Sequence, residues 1–232
     1  MSNLARYVDS SRIVPDVELK DYTTFRVGGP AEIMVTVNTE EELENVLGAL
    51  KEEGLVDLVV EDLGGIHLAR KLGFRIHGGQ GLNILNTLAL AEYDAMNLTD
   101  ATVSFELAAS KIKKLGTTLK RGILAYGYLP LMHMRSCPAR TKDGCKGCTG
   151  KTPMTDRKGE TFTVLCREKQ YADLLNCVPL YVADKPEIPV DFETLYFTVE
   201  TPDEAVNVLK DYLAKQAPEF RRTTGLYWRE LL

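Results

Sequence analysis

The chain has 232 residues, 44% of them apolar and 26% charged. That balance is the one of an ordinary soluble globular protein, and the length suits one domain or a domain with a small appendage. The net charge of -5 gives no general reason to expect nucleic acid or an anionic membrane as partner. No stretch approaches the roughly 20 apolar residues needed to cross a bilayer. The start, MSNLARYVDSSR, lacks the apolar run of a signal peptide, so a cytoplasmic protein is expected. In such a reducing compartment, clustered thiols are ligands or redox groups more often than disulfides.

Residues 32–37, EIMVTV, read as a strand. Thr39 then opens EEELENVLGALKEEG, where Leu43, Val46, Leu47 and Leu50 fall at helical spacing and Gly54 is a natural stop. Thr39 with Glu42 fits a capping box. From Leu55 short apolar strands alternate with helices. LVDLVVED, FRIHGG, ATVSFE and GILAYG are the strands; IHLARKLG, LNILNTLALAEYD and ELAASKIKKLG are the helices between them. Repeated βα units of this kind predict an α/β fold with a parallel sheet.

The rhythm breaks at Pro130, and a polar, glycine-rich insert spans 135–166. TFTVLC, CVPLYVAD and LYFTVE read as later strands, and PDEAVNVLKDYLAKQ as a helix started by Thr201 and Pro202. A closed eight-stranded barrel takes about 250 residues. The expected architecture is therefore a partial or modified TIM-like barrel over 55–232, with the insert at 135–166, preceded by a strand–helix segment over 1–54.

Functional groups in such folds collect at the C-terminal ends of the strands. Those ends offer Glu61, Asp62, His77, Glu106 and Tyr126, an acidic and polar rim with one imidazole; any of them can instead be a helix cap or a supporting group. The cysteines follow C-x7-C-x2-C-x17-C, as Cys137, Cys145, Cys148 and Cys166, with Cys177 after ten more residues. Two thiolates at x2 spacing reach one metal, Gly144, Gly147 and Gly150 let the backbone turn around it, and two further thiolates complete a set for zinc or an iron–sulfur cluster. Cys177 sits in an apolar run and reads as a small core residue. Between Arg135 and Glu160, seven basic residues (Arg135, Arg140, Lys142, Lys146, Lys151, Arg157, Lys158) face two acids (Asp143, Asp156). They offset thiolate charge, guide an anionic substrate such as RNA, or are simply solvated. There is no G-x-S-x-G, H-E-x-x-H or P-loop, and GGQGLN lacks dinucleotide-binding spacing.

VEDLGGIHLARKLGFRIHGGQGLNILNTLAL, VSFELAASKIKKL, YGYLPLMHMRSCPA, CKGCTGKTPMTDRKGETFTVLC and LLNCVPLY, with the ending FTVETPDEAVNVLKDYL, together resemble the collagenase-like peptidase family U32 over residues 55–232. The resemblance implies a barrel-like core and either proteolysis or iron–sulfur-dependent hydroxylation of an RNA base or quinone precursor. It implies a four-iron four-sulfur cluster on the four clustered cysteines. It marks His77, Asn83, Asn86, Ser104, Glu106 and Tyr126 as matching positions. With these, His77, Glu106, Tyr126 and Glu61 are the candidate catalytic groups, and Asn83, Asn86, Ser104 and Arg135 the candidate substrate-binding groups. Where relatives commonly read His-Gly-Asp, this chain has His77-Gly78-Gly79. The substrate class left open is peptide or RNA, and a second copy or a partner subunit is expected to complete the barrel. A non-catalytic, zinc-stabilised RNA- or protein-binding module is the alternative from another class.

Residues 19–54, LKDYTTFRVGGPAEIMVTVNTEEELENVLGALKEEG, are similar to the opening of the UDP-N-acetylenolpyruvoylglucosamine reductases, which are flavoenzymes. The glycine-serine-asparagine turn that holds the flavin pyrophosphate is missing here, so no flavin site is expected.

Overall fold

The computed structural model describes residues 4–18, 30–140, 144–145, 148–167 and 171–229. Lys142, Asp143, Lys146 and Gly147 of the basic, glycine-rich segment, and 19–29 of the reductase-like stretch, lie outside them.

The described residues form a mixed α/β structure with three separate sheets. β1 (Ile13–Glu18) and β2 (Pro30–Val35) make an antiparallel pair. α1 (Glu40–Glu52) covers it, and Leu4, Val8, Val46 and Ala49 form a small core of their own. Thr39 caps α1 by accepting the Glu42 amide at 3.1 Å, and the Glu42 carboxylate reaches back to the Asn38 amide at 2.7 Å. The same carboxylate accepts two bonds from Arg12, of 2.8 and 2.7 Å.

The second sheet holds the repeated βα units. β3 (Asp57–Val60), β4 (Arg75–Gly78), β5 (Asp100–Thr102) and β6 (Lys120–Gly127) lie side by side in chain order, all parallel. α2 (Leu63–Leu72), α3 (Thr87–Ala95) and the short α4 (Ala109–Ile112) are the crossovers. Residues from all three helices join one cluster with Val60, Ile76, Ala101 and Ile123. Consecutive parallel neighbours joined by right-handed crossovers put their helices on one face.

At β3 and β4 the other face of this sheet is left open, whereas β5 and β6 are buried on both faces. Val59 is 72% exposed there, beside Asp57, Arg75 and His77, while Val60 and Ile76 point inward. Among the described residues β3 pairs only with β4, so the sheet does not close into a barrel.

The third sheet is antiparallel, in the order β7 (Pro130–Met134), β10 (Tyr171–Leu175), β9 (Thr161–Arg167) and β8 (Lys151–Thr155). The insert is therefore part of a small sheet rather than a long loop. β7, β8 and β10 escape sequence reading because proline opens one and interrupts another. Pro153 is tolerated because β8 is an edge strand. The chain then returns to the parallel sheet. β11 (Leu180–Tyr181) pairs antiparallel and β12 (Phe192–Tyr196) parallel with β6. β12 ends where LYFTVE had been read as extended, and α5 (Pro202–Leu213) follows with a complete capping box from Thr201 and Glu204.

Gly122 of β6 sits in register with Phe192 of β12, whose ring covers the bare backbone. A methyl group at this position would fall inside the ring's van der Waals envelope. Gly122→Ala is expected to lower stability by about 1–3 kcal/mol, the usual range for overpacking. A urea midpoint equal to the wild type would show that Phe192 moves aside without penalty.

Candidate functional site

Strand alternation gives the antiparallel sheet two different faces. Val164, Ala172 and Leu174 point to one side, where they pack with Met134, Cys137 and Phe162. Leu165, Arg167, Tyr171 and Asp173 point to the other, toward the C-terminal ends of the parallel strands. The sheet is thus a roof over that rim, with the cysteine segment on its far side.

Beneath the roof lies a cavity of about 450 Å³ that includes Glu61, Gln80, Asn83, His133, Arg167 and Asp173 in its lining. Phe105, Tyr128, Tyr171 and Tyr196 add four aromatic rings. His133 of β7 and Asp173 of β10 are direct cross-strand partners, and Arg167 of β9 lies diagonally across. The His133 Nδ1 is 2.6 Å from one Asp173 oxygen, and the Arg167 Nε donates to the other at 2.8 Å. Asp173 is 3% exposed, a buried carboxylate held from both sides. Burial works against the Arg167 charge, but Asp173 outweighs it and the guanidinium pKa is raised.

On the far side, Cys137, Cys145, Cys148 and Cys166 line one cavity of about 90 Å³, with Arg135, Arg140 and Tyr171. No disulfide joins these cysteines. The Gly150 amide donates to the Cys148 sulfur at 3.3 Å, and Gly144 takes a left-handed φ of 78° at the turn. Among the described residues no three of the His, Cys, Asp and Glu side chains stand close enough to hold a metal as placed. The donor types still fit zinc or a cluster in kind, since four cysteines line one cavity together with Arg135 and Arg140. Tyr171 lines both this cavity and the one under the roof.

A third cavity, of about 430 Å³, lies across Tyr128 from the roofed one and takes in Tyr126, Lys151, Cys177, Glu200 and Glu204. Glu200 is 5% exposed and accepts from the Tyr126 hydroxyl at 2.7 Å and from the Thr198 and Val199 amides at 2.7 and 2.9 Å. Burial first, and the carboxylate second, push the Tyr126 pKa far up, so its hydroxyl stays a donor. Desolvation lowers that of Lys151.

The sequence-derived candidates divide among these places. Glu61 and Asn83 line the roofed cavity, and a Glu61 oxygen accepts the Gly81 amide. Tyr126 belongs to the third cavity, and Arg135 to the cysteine cavity. Asn86 and Asp62 are the N-caps of α3 and α2. Ser104 is buried and accepts the Glu106 amide at 3.3 Å, while the Glu106 side chain is exposed away from the three cavities.

His77 stands apart from the rim. It faces the open side of the sheet, with Nδ1 2.8 Å from Asp100 and Nε2 3.1 Å from Asp57, so both ring nitrogens are engaged. Burial pulls its pKa down, yet the two carboxylates outweigh that and leave it raised above 6.5. A raised folded-state pKa adds stability that is complete below the unfolded value and fades as pH climbs through the folded one. The stability gap between wild type and His77→Gln is therefore expected to be widest below about pH 6.5 and to shrink above it. Melting curves from mildly acid to mildly alkaline pH would measure this, and a gap that widens with pH would refute it.

His133, Arg167, Asp173, Tyr171 and Glu200 were not found from sequence. The one available signal was an acid inside an apolar run, Asp173 in YADLL and Glu200 in LYFTVE. Such an acid, once buried, must have partners.

No family model and no solved structure matches the chain. It is 43% identical over 58 residues to the UDP-N-acetylenolpyruvoylglucosamine reductase of Clostridioides difficile, covering 25% of this chain and 19% of that protein. It is 38% identical over 52 residues to the reductase of the same name from Clostridium novyi, covering 22% and 17%. The matches support the resemblance read in residues 19–54. The chain spans less than a fifth of the length of either relative. No helix among the described residues is long and apolar enough to cross a membrane.

Proposed function

We propose that this chain is a U32-type, peptidase-like enzyme with a four-cysteine metal or iron–sulfur centre, acting on substrate in the roofed cavity at the strand ends. One observation carries the reading. The four cysteines chosen by their spacing line a single cavity, and Tyr171 joins that cavity to the roofed one. A purely structural zinc site is closed, whereas a working centre adjoins a substrate pocket. Cys137, Cys145, Cys148 and Cys166 would hold the group, which when bound supplies Lewis-acid or redox chemistry. The chain's own residues do the rest: the aromatic rings hold and orient substrate beneath the roof.

The consecutive parallel strands with helices on one face support a partial TIM-like barrel. A second copy or partner subunit completing it would cover the open face around Val59.

Hydroxylation of an RNA base or quinone precursor is a second reading. It is favoured by the four rings in the cavity, whose described lining contains no serine, threonine or cysteine nucleophile.

The test is purification without oxygen, followed by an absorption spectrum and iron and zinc assays. Bound iron with the broad visible absorption of a cluster supports the reading. Zinc alone points to the binding module, and neither metal above trace level overturns it.

A further inference from the structure

We propose that His133 is the proton-transfer residue of the roofed cavity, with Asp173 holding its tautomer and Arg167 holding Asp173. The inference rests on that cavity being the reaction site. The three side chains come from three adjacent strands, and strand register alone brings them together. Asp173 is buried and takes the Nδ1 edge of the ring at 2.6 Å, while Arg167 occupies its second oxygen at 2.8 Å. Neutral His133 therefore carries its proton on Nδ1 and presents a lone pair at Nε2. No described residue bonds to Nε2, and the His133 side chain is 72% exposed at the cavity edge.

A buried carboxylate that fixes one imidazole edge, leaving the other open to a pocket, is the arrangement that proton transfer requires. In the step, the Nε2 lone pair takes a proton from a substrate O–H or N–H or from a bound water. The departing bond's electron pair stays on that oxygen or nitrogen. The resulting imidazolium is stabilised by Asp173 and returns its proton to the leaving group or to solvent, so no other reactant is consumed. His133 is the catalytic group, and Asp173 and Arg167 are positioning groups. His77 cannot take the part, because aspartates engage both its nitrogens.

The chain has three histidines, so ¹⁵N-histidine labelling gives three ring systems to assign. His133 is expected in the Nδ1–H form in the wild type and is expected to shift toward the Nε2–H form of free imidazole in Asp173→Asn. As a second arm, 4-nitrophenyl acetate reports a free basic Nε2. Its hydrolysis is expected to fall about tenfold in His133→Gln, at the modest end for a lost acid–base group, and to stay unchanged in His67→Gln. His133→Gln alters an exposed side chain, which protects the test if Asp173→Asn folds poorly. An Nε2–H tautomer in the wild type, or unchanged hydrolysis in His133→Gln, overturns the proposal. Neither readout depends on bound metal, so a metal-free protein would sink the function reading and leave this result standing.

Discussion

Replacing Cys148 with serine is expected to strip the protein of most of its bound metal and to open residues 135–160 to trypsin. Before β8, which is paired with β9, the segment has little else to order it. Its apolar support is a small cluster around Val164 and Ala172 that reaches only Cys137 of the four cysteines. Ordering a residue costs about 1–2 kcal/mol of backbone entropy, which polar, glycine-rich chain does not recover by burial. Metal ligation supplies about 10–16 kcal/mol in small zinc domains, the scale needed. Cys145→Ser should behave alike, with new cuts at Arg140, Lys142 or Lys151, and chelator treatment of the wild type should copy both. Cys177→Ser should not, since Cys177 lies in a different cavity beside Asn176. Equal protease resistance in wild type and both variants would mean that the thiols do not hold this segment.

Glu200→Ala is expected to be the most destabilising change at the rim. Glu200 gathers a hydroxyl and two backbone amides where β12 hands over to α5, and truncation leaves all three donors unmet. A buried donor without a partner costs about 1–3 kcal/mol. With two of the bonds only part-buried, we expect about 3–5 kcal/mol in total, or a melting point lower by roughly 10 °C for a chain of this size. Glu200→Gln keeps two acceptor lone pairs and should lose less. A loss in Glu200→Ala below about 1 kcal/mol would mean that water replaces the carboxylate.

What the sequence made legible follows physical rules of short range. Apolar rhythm gave β3, β4, β6, the crossover helices and α5, and cap chemistry gave Thr39 and Thr201 at their helix starts. The cysteine spacing picks out four residues that line one cavity, although no three of them stand within reach of one metal as placed. Long-range pairing stayed hidden. His133 and Asp173 are 40 residues apart, and nothing local announces that β7 and β10 are neighbours. His77 was read as a rim group because FRIHGG looks like one whole strand. β4 ends at Gly78, and the side-chain alternation that buries Ile76 turns His77 to the opposite, open face. The strand before Glu200 was read too late because an apolar run continues past the end of the ladder into the turn that Glu200 organises.

The arrangement of the roof sets an order in time. Each parallel pair from β3 to β6 joins strands separated by a single crossover, so these contacts close short loops and form early. β7 has no such neighbour: its partner is β10, reached only after the whole cysteine segment has passed. Closing that longer loop costs more chain entropy, and the strands flanking it gain little until the segment is ordered. The nascent protein is therefore expected to hold a paired β3–β6 sheet that still lacks β11 and β12, and an unfinished lid, with its thiols still open to the proposed metal. Refolding should show a fast phase independent of metal and a slower one whose rate rises with metal concentration.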